Sequence, residues 1–232
     1  MKIKANIPNS ITCLNLISGA VAIVLALQGS RSLGPLTGFE WSYIAIGAAA
    51  IFDFADGAMA RLLKAYSDLG RELDSLSDLV SFGLAPTAMM YTAICEASGG
   101  FTGWALVPLM IAVCGALRLA RFNIDTNQST TFTGLPIPAN ALFWIGMTAW
   151  ISAHGCPPLW VVALIVLCES LLMLSSIRMT SLKFKSFGWR ENFTRYVLIL
   201  VAVLFVVTDG IPGLMWTILF YIIRSAVGRK EH

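Results

Sequence analysis

The chain has 232 residues, of which 57% are apolar and only 12% charged, with a mean hydropathy of +0.75. A soluble domain carries about 25% charged residues, so this composition excludes an ordinary soluble enzyme, a disordered chain and a coiled coil, and leaves a polytopic membrane protein. The net charge of +3 is read by its distribution along the chain, and no nucleic-acid partner is expected.

A membrane-spanning helix needs about 20 mostly apolar residues. Runs of that order occur at roughly 11–29, 41–61, 72–94, 102–122, 138–154, 157–177, 194–208 and 211–227, the seventh lengthened by Asn192 and Phe193. Lys2 and Lys4 open the chain, but Pro8-Asn9-Ser10 interrupts this start and no small-residue cleavage site follows, so it is not read as a signal peptide. The connectors at 30–40, 96–100 and 125–133 are too short to hold a separate domain, and no internal repeat stands out. The expected fold class is therefore all-α: a single domain over 1–232 forming a membrane bundle of about eight transmembrane helices. Cys13, Cys95, Cys114, Cys156 and Cys168 show no metal-ligand spacing and are read as small buried hydrophobes. Trp144, Trp150, Trp160 and Trp216 suit interfacial belts or core packing.

The lysines and arginines give the direction. With a cytoplasmic N-terminus, eight crossings leave only Arg31 of the sixteen basic residues outside. Lys2, Lys4, Arg61, Lys64, Arg71, Arg118, Arg121, Arg178, Lys183, Lys185, Arg190, Arg195, Arg224, Arg229 and Lys230 all fall inside. That bias predicts cytoplasmic N- and C-termini, and the inner cations attract anionic lipid head groups.

Acids are costly within such spans. Asp53 and Asp56 lie near the inner end of the second run, and Asp74 and Asp78 near the inner start of the third. Residues three or four apart share a helix face, so Asp53, Asp56, Gly57 and Ala60 form one stripe and Gly70, Asp74 and Asp78 another. Consecutive antiparallel spans bring these stripes together. Converging carboxylates repel unless hard divalent cations, Mg²⁺ or Mn²⁺, lie among them; two such ions are the usual device for displacement at phosphorus. Gly57 and Gly70 leave room for a bulky anion, and Arg61 supplies a permanent positive charge. Packing pairs with arginine, or an ion pathway as in a divalent-cation transporter, are the alternatives; a transporter would be expected to show repeated halves.

The spacing Asp53-x2-Asp56-Gly57-x2-Ala60-Arg61-x8-Gly70-x3-Asp74-x3-Asp78 resembles the full signature of the CDP-alcohol phosphatidyltransferase family. The resemblance implies a two-metal membrane enzyme that displaces CMP from a CDP-linked lipid with an alcohol. It implies that Asp53, Asp56, Asp74 and Asp78 bind the metals, with Asp78 also the catalytic general base. Around the CDP-lipid it puts Gly57, Ala60, Arg61, Ser67 and Gly70. Pro8-Asn9-x2-Thr12-x2-Asn15 is similar to the family segment that adds Asn9, Thr12 and Asn15 to that pocket, although a Pro-Asn pair also reads as a helix start. Family analogy further implies a homodimer.

The segments 115–123, 132–139 and 172–183 resemble the serine-using branch of the family, which implies CDP-diacylglycerol and L-serine as substrates; the expected location is a prokaryotic cell membrane, and the charge bias above puts the site on its cytoplasmic face. Arg118, Arg121 and Asn123 are the candidate serine contacts, since a guanidinium can grip a carboxylate with two hydrogen bonds. Both arginines could equally anchor a helix end at lipid phosphates. Glycerol 3-phosphate or inositol phosphate would also suit their charge. Residues 134–138 read as a rigid turn leading into the fifth span. Glu169, inside the sixth, has no assigned role, with His154 a guessed partner.

Overall fold

The computed structural model describes residues 2–124, 133–177, 179 and 188–227. Expectations for 125–132, Arg178, Lys183, Lys185, Arg229 and Lys230, and for the side chains of Lys2, Lys4 and Arg190, lie outside the described residues.

Helix α1 (Lys2–Ala26) leads into a two-stranded antiparallel hairpin, β1 (Ser32–Leu33) and β2 (Leu36–Thr37). Thr37 then caps α2 (Gly38–Leu63). The Glu40 backbone N–H donates to Thr37 Oγ1 at 3.2 Å, and the Thr37 N–H donates back to Glu40 Oε2 at 2.7 Å. Each partner satisfies an otherwise orphaned donor. Lys64, in the left-handed region at φ 49°, ends α2. Ser67 opens α3 (Asp68–Asp78) by accepting from the Gly70 N–H at 3.0 Å.

Beyond α3 the rod continues through a π-helical turn at Leu79–Leu84 into α4 (Ala85–Ala97). Pro86, at the start of α4, lacks an N–H and its ring crowds the carbonyl four residues back; the wider turn accommodates both. A 3₁₀ turn at Gly103–Leu106 precedes α5 (Leu109–Ile124), followed by α6 (Ile137–His154), α7 (Leu159–Leu174), α8 (Trp189–Asp209) and α9 (Gly213–Val227).

Close approaches set the packing. A Cβ at Gly19 would come within 2.7 Å of Ser81 Cα, so α1 and the π turn touch backbone to backbone there. At Gly146 a Cβ would lie 2.3 Å from the Met215 nitrogen, which fixes α6 against α9. Phe82, Met89, Met90, Ile111, Phe143 and Trp144 fill the core. The outside is apolar too: Phe54 is 74% and Val207 78% exposed. In water that surface would be unfavourable. The rods Asn6–Ala26, Gly38–Leu63, Asp68–Ala97 and Gly103–Ile124 are long and apolar enough to cross a bilayer, while Leu159–Leu174 and Gly213–Ala226 are shorter apolar helices. The molecule is an all-α membrane protein.

Three expectations change. α1 begins at Lys2, with Pro8 inside it rather than at its start, and the connector at 30–40 holds a hairpin and a helix cap. Of the cysteines, all free, only Cys114 is buried, while Cys13 and Cys168 are exposed. A lipid-facing position accepts a small apolar group as readily as a core does.

Candidate active site

At one end of the bundle α2 and α3 face each other across the tight reversal at 64–67. One carboxylate oxygen each from Asp53, Asp56 and Asp74 lies within 4.8 Å of the others. Asp56 is buried, and Asp56 Oδ2 and Asp74 Oδ1 are sealed from solvent without a hydrogen-bond partner. Burying unpaired, mutually repelling acceptors is expensive. Hard oxygen donors gathered in this way suit a divalent cation, whose charge would offset the repulsion. The donor set therefore fits the implied metals.

Asp78, one turn deeper than Asp74, lies outside that trio. Asn15 Nδ2 donates to its Oδ1 at 3.3 Å, and the charges of Asp53, Asp74, Asp56 and Arg118 act on it.

A cavity of about 510 Å³ opens beside the acids, lined by Asn9, Thr12, Gly57, Ala60, Arg61, Ser67 and Gly70 together with Asp56 and Asp74. A Cβ on Gly57 would meet nothing nearer than Arg61 Nη1 at 3.5 Å, so its absence leaves backbone open to the cavity. At Gly70 a Cβ would press on Asn9 Oδ1 at 2.9 Å, where α1 crosses α3. Asn15, alone of the predicted CDP-lipid residues, is not in this lining. Tyr66 and Arg71, which sequence reasoning did not single out as ligand contacts, do line it. The position of Arg71 directly after Gly70 of the signature was the available signal. Its ion pairs, 3.7 Å to Asp68 and 3.6 Å to Glu72, are exposed and weak, which leaves its charge for a ligand.

The second predicted cluster sits nearby. Asn123 Nδ2 donates to Ser75 Oγ at 3.0 Å, tying the end of α5 to α3. Arg121 Nη1 donates to the Leu174 carbonyl at 3.4 Å. Arg118 and Arg121 share a cavity of about 60 Å³ with Thr133, Met173, Leu174 and Ser175, and Arg118 Nε is buried without a partner. Asn123 is outside that lining and serves as a tie between helices. The 134–138 turn closes this end: Gly134 stands at φ +74° and donates to the Ile177 carbonyl at 2.8 Å. Glu169 is buried with Oε2 unpartnered, and His154 is not its partner; its Nδ1 instead lies 3.2 Å from the Trp150 carbonyl, with its ring stacked on that indole.

The family described as CDP-alcohol phosphatidyltransferase matches residues 5–168. A protein of Mycobacterium bovis named CDP-diacylglycerol–serine O-phosphatidyltransferase is 35% identical over 183 residues, covering 75% of this chain and 60% of that protein. A Methanocaldococcus jannaschii protein of the same name is 37% identical over 173 residues, covering 74% of this chain and 72% of its own. An archaetidylserine synthase of Methanothermobacter thermautotrophicus is 34% identical over 178 residues, covering 74% and 68%. The match thus spans about three fifths of the mycobacterial relative's length (60%).

Proposed function

From the premise that the chain belongs to the CDP-alcohol phosphatidyltransferase family, we propose that it transfers the phosphatidyl group of CDP-diacylglycerol to the hydroxyl of L-serine, forming phosphatidylserine and CMP. The observation that carries this reading is the carboxylate trio with its orphaned oxygens beside a cavity lined by the signature residues. The serine acceptor is supported by the relatives' names, which keep serine while the lipid part of the name changes.

Asp53, Asp56 and Asp74, with Asp78 adjoining, hold two Mg²⁺ or Mn²⁺ ions. Those ions, when bound, neutralise charge developing on the phosphoryl oxygens and the departing CMP. Arg61 and Arg71 hold the diphosphate at the cavity mouth. Asn9, Thr12, Gly57, Ala60, Ser67 and Gly70 shape the nucleotide end, where the missing side chains of the glycines let backbone approach the ligand. Arg118 and Arg121 grip the serine carboxylate. Their cavity of about 60 Å³ holds only a few water-sized volumes, which favours a compact acceptor over a sugar phosphate.

A serine hydroxyl is a poor nucleophile at neutral pH, so a base must take its proton as it attacks. Asp78 does this: the serine oxygen bonds to phosphorus, the phosphorus–oxygen bond to CMP breaks, and CMP leaves with the electron pair. One displacement inverts phosphorus and leaves no lipid–enzyme adduct. We further infer eight crossings with both termini and the site on the cytoplasmic side, in a homodimer.

The test is CMP release by purified protein supplied with CDP-diacylglycerol and, in turn, serine, glycerol 3-phosphate and inositol phosphate. Release with serine is expected. Release with glycerol 3-phosphate alone would reassign the acceptor, and no release with any alcohol alongside cation flux into proteoliposomes would make the site a transport site.

A further inference from the structure

We propose that Asn15 and Ser81 are positioning residues that hold the Asp78 carboxylate where it takes the acceptor's proton; this rests on the reading of Asp78 as the base. Asn9 and Thr12, from the same N-terminal motif, line the nucleotide cavity. Asn15, one turn further along α1, is fully buried and turned toward the acids. Its Nδ2 donates to Asp78 Oδ1 at 3.3 Å, and its Oδ1 accepts from Ser81 Oγ at 2.7 Å. The Ser81 hydroxyl also lies 3.1 Å from the Asn15 main-chain carbonyl.

The chemistry of the groups gives the chain its direction. An ionised carboxylate only accepts hydrogen bonds, so Asn15 must show it the NH₂ end of its amide. A flipped amide would set an oxygen against the carboxylate. The acceptor-only carboxylate thus sets the amide's orientation, and the Ser81 hydroxyl, donating to the amide oxygen at its other end, holds the side chain in that place. Held at Oδ1, the carboxylate keeps one oxygen's lone pairs for the incoming proton.

The backbone is arranged for this contact. Ser81 lies within the π turn, and it sits close enough to α1 that any side chain at Gly19 would strike it, with a Cβ 2.3 Å from Ser81 Oγ. π turns occur often at functional sites. Here the turn follows Asp78 directly and brings the hydroxyl within reach of an α1 amide.

The experiment is steady-state CMP release by the full-length protein with CDP-diacylglycerol, serine and Mn²⁺. Asn15→Leu keeps the side chain's size, and Ser81 still has the residue-15 carbonyl to bond. Its kcat should fall about 10²-fold, the cost of a reacting group misplaced by an ångström, with KM for CDP-diacylglycerol unchanged. Ser81→Ala should lower kcat less. The double variant should be no slower than Asn15→Leu alone, because both act through one carboxylate. Asn15→Asp keeps the shape but sets a charge against Asp78, and should not rescue.

A raised KM at unchanged kcat would make Asn15 a nucleotide contact and overturn the proposal. Losses that add in the double variant would overturn it as well. Full turnover in Asp78→Asn would overturn the base itself. Inactive Asp78→Asn with full kcat in Asn15→Leu would overturn only the positioning role. Should Asn15→Leu not fold in detergent, Ser81→Ala, which removes a single hydroxyl, decides the matter by the same split of kcat from KM.

Discussion

Asp56 and Asp74 each bury a carboxylate oxygen with nothing to receive, so removing one acid relieves repulsion while removing a metal ligand. Asp74→Ala should therefore abolish CMP release yet fold normally in detergent; near-normal, metal-dependent turnover would refute the two-metal assignment. Arg118, with Nε unpartnered beside the small cavity, makes a different prediction. Losing a hydrogen bond to a charged group costs about 1.5–3 kcal/mol, so Arg118→Ala should raise KM for serine roughly ten- to hundredfold. Arg118→Lys should restore little, since an ammonium cannot form the paired grip. A KM for serine that stays put while binding of CDP-diacylglycerol weakens would return Arg118 to lipid anchoring. The acids were legible in the sequence because helical spacing alone puts Asp53, Asp56 and Gly57 on one face. The bond of Asn15 was not legible, since its partner lies 63 residues away and no local rule reports such a pair.

Each apolar run of the sequence falls on helix, the third on α3, the π turn and α4 together, as expected where an apolar segment must satisfy its own backbone groups. Local detail escaped where hydropathy carries no information. The hairpin at 32–37 rests on main-chain pairing of Ser32-Leu33 with Leu36-Thr37 across a Gly-Pro turn, and the π turn follows from Pro86 meeting a crowded interior. The 134–138 turn was legible from glycine and proline alone, but not its purpose. A Cβ on Gly134 would fall 2.3 Å from the Met173 carbonyl oxygen, so the turn sits under the end of α7 with no space for a side chain. Gly134→Ala should destabilise the protein by about 1–3 kcal/mol, the usual cost of a left-handed non-glycine residue, before any allowance for the clash. A lowered melting temperature in detergent would show it; an unchanged one would mean the turn is loosely held.

For the molecule as a whole, direction and metal loading are the two global quantities to measure. In a background without the five native cysteines, Ser32→Cys should react with an impermeant maleimide on intact cells, and Asp68→Cys only after permeabilisation. The reverse pattern would invert the bundle. Chelation should abolish activity, with Mg²⁺ or Mn²⁺ restoring it. A ligand that binds only the folded state also stabilises it, so added Mn²⁺ should raise the melting temperature of the wild-type protein but not of Asp74→Ala. Equal shifts in both would place the ions elsewhere.

The short reversal at 64–67 has a consequence for how the protein is made. In the proposed orientation α2 is threaded outside to inside and α3 begins inside, so Asp53, Asp56, Asp74 and Asp78 all remain on the face where the ribosome works. None of them has to traverse the hydrocarbon during insertion. The charged cargo carried across with the α1–α2 hairpin that precedes this reversal is confined to Arg31 and Glu40, and Glu40 has its carboxylate engaged by Thr37. A bundle whose reaction centre is strongly acidic can thus be inserted at little electrostatic cost.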